Sequence, residues 1–191
     1  MEYELHVTVE PNDESAVERW VELCENIGIK PVLVILSKGD YTRQLLCSKN
    51  LIGDFEFVKL EVRKYVSKIE AAGFRVIREK LECPLYLSGQ FPDAVYHETH
   101  IIMKLTRAEA AFLPQFCEET GMQTSYNPLQ KTQEREKWYL TSRHYGISHE
   151  IAADIFRKQF EQAKKIFPVH GVHNESAIYD TNPAIDIGWV E

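Results

Sequence analysis

The strongest constraint on this sequence is that it matches itself. ELHVTVE (residues 4–10) aligns with ETHIIMK (98–104), and LCENIG (23–28) with FCEETG (116–121), at offsets of 93 or 94 residues. The second pair lays Cys24 over Cys117, Glu25 over Glu118 and Gly28 over Gly121. Arg63-Lys64 meets Arg157-Lys158, and the stripe Val58, Val62, Val66, Ile69 meets Ala152, Phe156, Phe160, Ala163. Four matches in one order at a near-constant offset indicate an internal duplication. Whatever the first half folds into, the second half is expected to repeat.

Each half reads as the same succession of elements. Residues 3–10 alternate as a strand, with Leu5, Val7 and Val9 on one face. Ser15 with Glu18 three residues later opens a helix whose stripe is Val17, Trp20, Val21 and Cys24, and Gly28 is a suitable stop. Residues 31–36 and 41–47 form a hairpin, 54–72 a helix, and 74–82 a strand. The second half gives a strand at 96–105, then a helix at 106–120 opened by Thr106 and Glu109, in which Pro114 forces a kink or a late start. A wider hairpin at 122–143, a helix at 148–167 and a strand near 169–179 complete it.

The order β-α-β-β-α-β is the split-βαβ, ferredoxin-like arrangement. The expected fold class is therefore α+β: a duplicated ferredoxin-like (βαββαβ)2 chain with antiparallel sheets and a cleft between the halves. Residues 1–82 form the first half, 83–95 a linker with two prolines and a glycine, and 96–191 the second half with an irregular tail that holds Trp189.

Side chains alternate across a strand. If Leu5, Val7 and Val9 face the helices, then Glu4, His6, Thr8 and Glu10 face the open side. The equivalent split places Thr99, Ile101 and Met103 under helices, and Glu98, His100, Ile102 and Lys104 in the open. Two Glu-x-His pairs are thus expected to converge on one cleft. The competing view is that both pairs are solvated or tie the halves together.

Three chemistries suit such a site. His6-Val7-Thr8-Val9 resembles the His-φ-Thr-φ motif (φ apolar) of the 2H phosphoesterases, bilobal enzymes with two such motifs. The resemblance implies one histidine as general base and the other as general acid, with the hydroxyls on phosphate. The second stretch, His100-Ile101-Ile102-Met103, departs from the motif by carrying Ile where the hydroxyl belongs. His6 and His100 are the catalytic candidates, since imidazole titrates near neutrality. Alternatively, a divalent metal would be held by His6, His100 and Glu98. The third chemistry is binding alone: a small anionic or phosphorylated molecule held by Glu4, Thr8, Glu98, Arg43 and Arg143, with Lys38 and Lys137 as further cations. Tyr41, Trp138, Tyr139 and Tyr145 lie near these cations; they read mainly as sheet core and secondarily as pocket lining. His170 and His173 of the last strand read as surface residues within reach of a site.

Composition narrows the classes. A net charge of −7 and a pI near 5.6 disfavour a protein that coats nucleic acid or anionic lipid. The longest aliphatic run, Val32–Leu36, is too short to span a membrane, and the N-terminus lacks a leader pattern. Cys24, Cys47, Cys83 and Cys117 show no paired spacing, which fits reduced thiols and a cytoplasmic protein. Open sheet edges leave room for a homodimer. The rival to a ligand site is a non-catalytic interaction or scaffold protein.

Overall fold

The computed structural model describes residues 1–11, 15–131 and 134–190. The chain runs β1 (Glu2–Val9), α1 (Ala16–Ile27), β2 (Lys30–Leu36), β3 (Arg43–Ile52), α2 (Phe55–Ala71) and β4 (Val76–Pro84). After a 3-10 turn at Leu85–Gln90 come β5 (Tyr96–Leu105), α3 (Arg107–Ala110), α4 (Leu113–Thr120), β6 (Gln123–Lys131), β7 (Glu136–His144), α5 (His149–Lys164) and β8 (Val169–Asp180). A last 3-10 turn, Pro183–Asp186, leads into the tail. Gly28 and Gly121, which align in the sequence, both end their helices with φ of 71°, where glycine avoids the Cβ clash. The single helix expected over 106–120 is two short ones: Thr106 and Glu109 cap the first with a capping box, and Pro114 sits in the first turn of the second.

All strand pairs are antiparallel, and the sheet closes on itself in the order β1-β3-β2-β6-β7-β5-β8-β4. This corrects the expected duplicated ferredoxin-like arrangement of two sheets across a cleft. β2 bonds β6 through Ile35↔Tyr126 and Leu36↔Ser125, and β4 bonds β8 from Lys80↔Asp180 to Pro84↔Glu175. Strand edges that open sheets would leave unpaired satisfy each other, so the open-edge argument for a homodimer lapses with them.

The apolar faces of β1 and β5 point outward, under the helices. Leu5, Val7 and Val9 pack with Trp20, Cys24 and the Val58–Val62–Ile69 stripe of α2. Ile101, Met103 and Leu105 pack with Phe116, Ala163 and Phe167. Each fully buried side chain of this kind contributes about 1.5–3 kcal/mol. The Trp20 indole N–H donates to the Leu46 carbonyl at 2.9 Å and fixes α1 on the barrel wall. With these apolar faces used outside, the polar faces of β1 and β5 are left to face the barrel interior.

Candidate functional site

The interior is a cavity of about 210 Å³. Alternation along β1 and β5 carries Glu4, His6 and Thr8, and Glu98, His100 and Ile102, into it. Both Glu-x-His pairs therefore line one space, enclosed by a barrel instead of set between two sheets. The wall is two-faced: Val32, Val34 and Leu36 of β2 with Leu46 of β3 make an aliphatic side. The ionisable groups come mainly from β1, β4, β5, β7 and β8.

Glu98 is the hub of the ionisable side. It is fully buried; its Oε1 is 2.9 Å from Lys80 Nζ and 3.2 Å from His100 Nε2. Its Oε2 accepts from Arg143 Nε at 3.0 Å and stands 2.9 Å from Nη2. Burial pushes the Glu98 carboxyl up, but Arg143, Lys80 and His100 outweigh it and hold it well below the usual range. Burial lowers His100, and the attraction and hydrogen bond of Glu98 reverse this and raise it. The other ring nitrogen of His100 meets Thr141 Oγ1 at 2.9 Å, so both are engaged.

A second layer lies towards one end. Arg78 donates to both Asp180 oxygens at 3.0 and 2.6 Å, to Asp186 Oδ2 at 2.8 Å and to the Tyr96 hydroxyl at 3.0 Å. Asp186 also takes Arg143 Nη2 at 2.9 Å and Gln44 Nε2 at 2.8 Å. The Arg143 guanidinium lies 3.9 Å over the Tyr96 ring. Asp186 belongs to the tail, which plugs this end: Trp189 and Val190 pack on Leu36, and the Trp189 indole donates to the Thr124 carbonyl at 3.1 Å. At the other end Lys30 and His173 are exposed and Glu4, His6 and Lys137 half-buried, so this is the accessible mouth.

Midway, His6 Nε2 lies 3.1 Å from Glu82 and 3.5 Å from Glu4, which also accepts from Ser48. Lys80 Nζ is 2.9 Å from Glu82 Oε1, yet neither Glu82 oxygen has a partner aligned as a hydrogen bond among the described residues. Burial, then repulsion from Glu82, push the Glu175 carboxyl up to about 8. Burial lowers His173, 3.9 Å from Glu175.

Two donor groups could hold a cation: Glu82, Glu98 and His100, and separately Glu4, His173 and Glu175, each with ligand atoms within 4.8 Å of one another. His6 belongs to neither group. In the first, Lys80 Nζ sits 2.9 Å from both glutamates, where a bridging cation would stand.

Of the remaining sequence candidates, Arg143, Lys137 and Tyr139 line the cavity, and His173 joins them while His170 stays exposed. Arg43 is exposed at the start of β3; alternation sends its neighbour Gln44 inward instead. Lys38 lies exposed in the hairpin loop. Sequence reasoning passed over Arg78, Lys80 and Glu82, whose period-two charge along one strand was a readable signal. It also passed over Asp186, for which the irregular tail carries no local signal.

No family model matches the sequence, and no curated protein matches it. Among solved structures it is similar to the acetolactate synthase small subunit of Thermotoga maritima, at 14% identity over 95% of this chain and 96% of that one, with a TM-score of 0.32. The regulatory subunit of aspartate kinase from Thermus thermophilus is 15% identical over 85% and 91%, with a TM-score of 0.33. Chlorite dismutase from Candidatus Nitrospira defluvii is 11% identical over 92% and 90%, with a TM-score of 0.30. None of these likenesses reaches a TM-score of 0.5, and none bears on the reading of the site.

Proposed function

We propose that the barrel interior is a binding chamber for one small organic molecule. The observation that carries this is the unfilled space of about 210 Å³. An eight-stranded barrel is just wide enough for side chains to fill or for one small ligand. A barrel built for stability alone would fill with apolar groups, whereas burying this many charges costs desolvation that only their mutual pairing offsets. An apolar cavity of about 150 Å³ accepts benzene, so this one has room for roughly one ring with a short polar substituent. The aliphatic wall of β2 and β3 suits the body of such a molecule, and the ionisable wall its polar group.

A neutral one-ring probe, benzyl alcohol, tests the chamber by raising the melting temperature and shifting methyl NMR signals of Val32, Val34 and Leu46. Val34→Phe and Leu46→Trp should abolish both responses by filling the space. Unchanged responses in both variants would place the probe elsewhere and end this reading.

A second reading, proton transfer on the bound molecule, draws on one observation. Glu98 and Glu175 are cross-strand partners, one held ionised and the other held protonated up to about 8. Carboxyls pushed apart in this way serve as base and acid in many active sites. Here Glu175 is the proton donor, and His173, opposite His100 and with its proton affinity lowered by partial desolvation, is the acceptor. His6 and His100 flank them as orienting groups. Carbon-13 titration of the Glu175 carboxyl checks this: a midpoint in the ordinary carboxylate range sinks it.

A further inference from the structure

Resting on the chamber reading, the geometry points to a ligand class: a monocarboxylate with a short apolar body, its carboxylate received by Asn127 Nδ2 and Lys137 Nζ. Asn127 lines the cavity and is 1% exposed. Its Oδ1 accepts from the Leu129 backbone N–H at 3.0 Å, which fixes the amide orientation. Its Nδ2 has no hydrogen-bond partner among the described residues. A buried donor left unmade is costly, so such a group in a cavity wall calls for an acceptor on whatever fills the cavity.

Lys137 is on the neighbouring strand. β6 and β7 pair through Ser125↔Tyr139 and Tyr126↔Trp138; there the register shifts, and Asn127 and Lys137, each one residue beyond the last regular pair, both line the cavity. The Lys137 ammonium donates to Gln130 at 3.2 Å, and has two further protons to give. The deeper cations are spent: Arg78 on Asp180 and Asp186, Lys80 on Glu82 and Glu98, and Arg143 on Glu98 and Asp186. Among the described residues, Lys30 and Lys137 are the cavity-lining lysines and arginines without a carboxylate partner, and both lie at the accessible mouth.

The acids facing Lys137 do not block an anion. Glu4, whose charge reaches Lys137, is engaged by Ser48 and His6. Glu175 keeps its proton to about 8 and can donate to a carboxylate. The body of the ligand then lies against Val32, Val34, Leu46 and Ile102.

Three probes with the same ring and two-carbon arm decide between classes: phenylacetate, 2-phenylethanol and 2-phenylethylamine, measured by calorimetry at about pH 7. Phenylacetate should bind about tenfold tighter than the alcohol or better, as a charged hydrogen-bond pair requires. Asn127→Asp keeps the acceptor for Leu129 and turns the donor into an acceptor of the same shape. It should erase the carboxylate's advantage and leave the alcohol's affinity intact, and Lys137→Met should do the same. Equal binding of acid and alcohol, tighter binding of the amine, or an advantage that survives in both variants overturns the ligand class and leaves the chamber standing. If none of the three probes binds, the chamber reading falls as well.

Discussion

Glu98 stands directly opposite Glu175 in the β5–β8 ladder, with both side chains inside the barrel. Like charges in that position repel. The conflict is resolved by unequal surroundings: Glu98 has Arg143, Lys80 and His100, while Glu175 has Glu82 at its back and keeps a proton.

Stability should therefore fall on the alkaline side. Glu175 rises from 4.5 in the unfolded chain to about 8 in the barrel, so its contribution is full below 4.5 and is lost as pH climbs to about 8. His100, raised above 6.5, contributes fully below that value and fades above it. Glu98, held well below 4.5, acts in the opposite sense and loses its contribution as pH falls below 4.5. Urea unfolding across pH should show a decline from about pH 4.5 to about 8, steepening above 6.5 where His100 adds to it, with a slope of up to about 1.4 kcal/mol per pH unit for each proton. Glu175→Gln should flatten it; an unchanged slope would mean that Glu175 titrates normally.

Removing Glu98 should be among the most damaging single changes. Glu98→Ala takes one of two carboxylate partners from Lys80 and from Arg143, leaving Glu82 and Asp186 to hold them, and breaking buried pairs in this way costs about 3–5 kcal/mol. Replacing Glu98 and Lys80 together by Met should cost less than the two single changes summed, because each removes the other's uncompensated charge. Additive losses in a double-mutant cycle would show that the 2.9 Å contact carries no coupling.

The tail plug rests on one side chain. Trp189→Ala removes a ring that is 6% exposed and packed on Leu36, and should cost about 3–5 kcal/mol. Hydrogen exchange should locate the loss, with the amides of Trp189 and Val190, both bonded to the Asp186 carbonyl, exchanging faster. Unaltered protection there would mean that the Asp186 ion pairs hold the plug alone.

Gly39 bears on the same plug from outside. Its φ is +104°, and a Cβ there would come within 3.1 Å of the Ile187 carbonyl. Gly39→Ala should destabilise by about 1 kcal/mol or more, from backbone strain and the clash together. Gly28→Ala, with φ of +71° and open space around it, meets the strain alone and should cost less. Equal losses in thermal melts would show that the loop does not press on the tail.

Much of the site was legible because strand alternation is local. Knowing that Leu5, Val7 and Val9 needed cover was enough to turn Glu4, His6 and Thr8 the other way, and the same alternation along residues 96–105 did so for Glu98 and His100. Arg43 shows the limit: a cation near a hairpin was assigned to the site, but one residue of register sends Gln44 inside and Arg43 out. The Arg78, Lys80 and Glu82 series was in plain view, yet a charged face reads the same whether it meets solvent or a closed interior.

The sequence by itself determined which side of each strand is apolar, where helices begin and end, and hence which side chains turn away from the helices. Those are properties of a few neighbouring residues. Only the tertiary structure decided that the sheet closes, since the bonds joining Ile35 to Tyr126 and Lys80 to Asp180 are made by backbone groups that every sequence carries. Closure depends on the twist and stagger of all eight strands together. It is also what brings Asp186, 108 positions from Arg78 along the chain, onto that guanidinium and makes an enclosed chamber of what would otherwise be a wet surface.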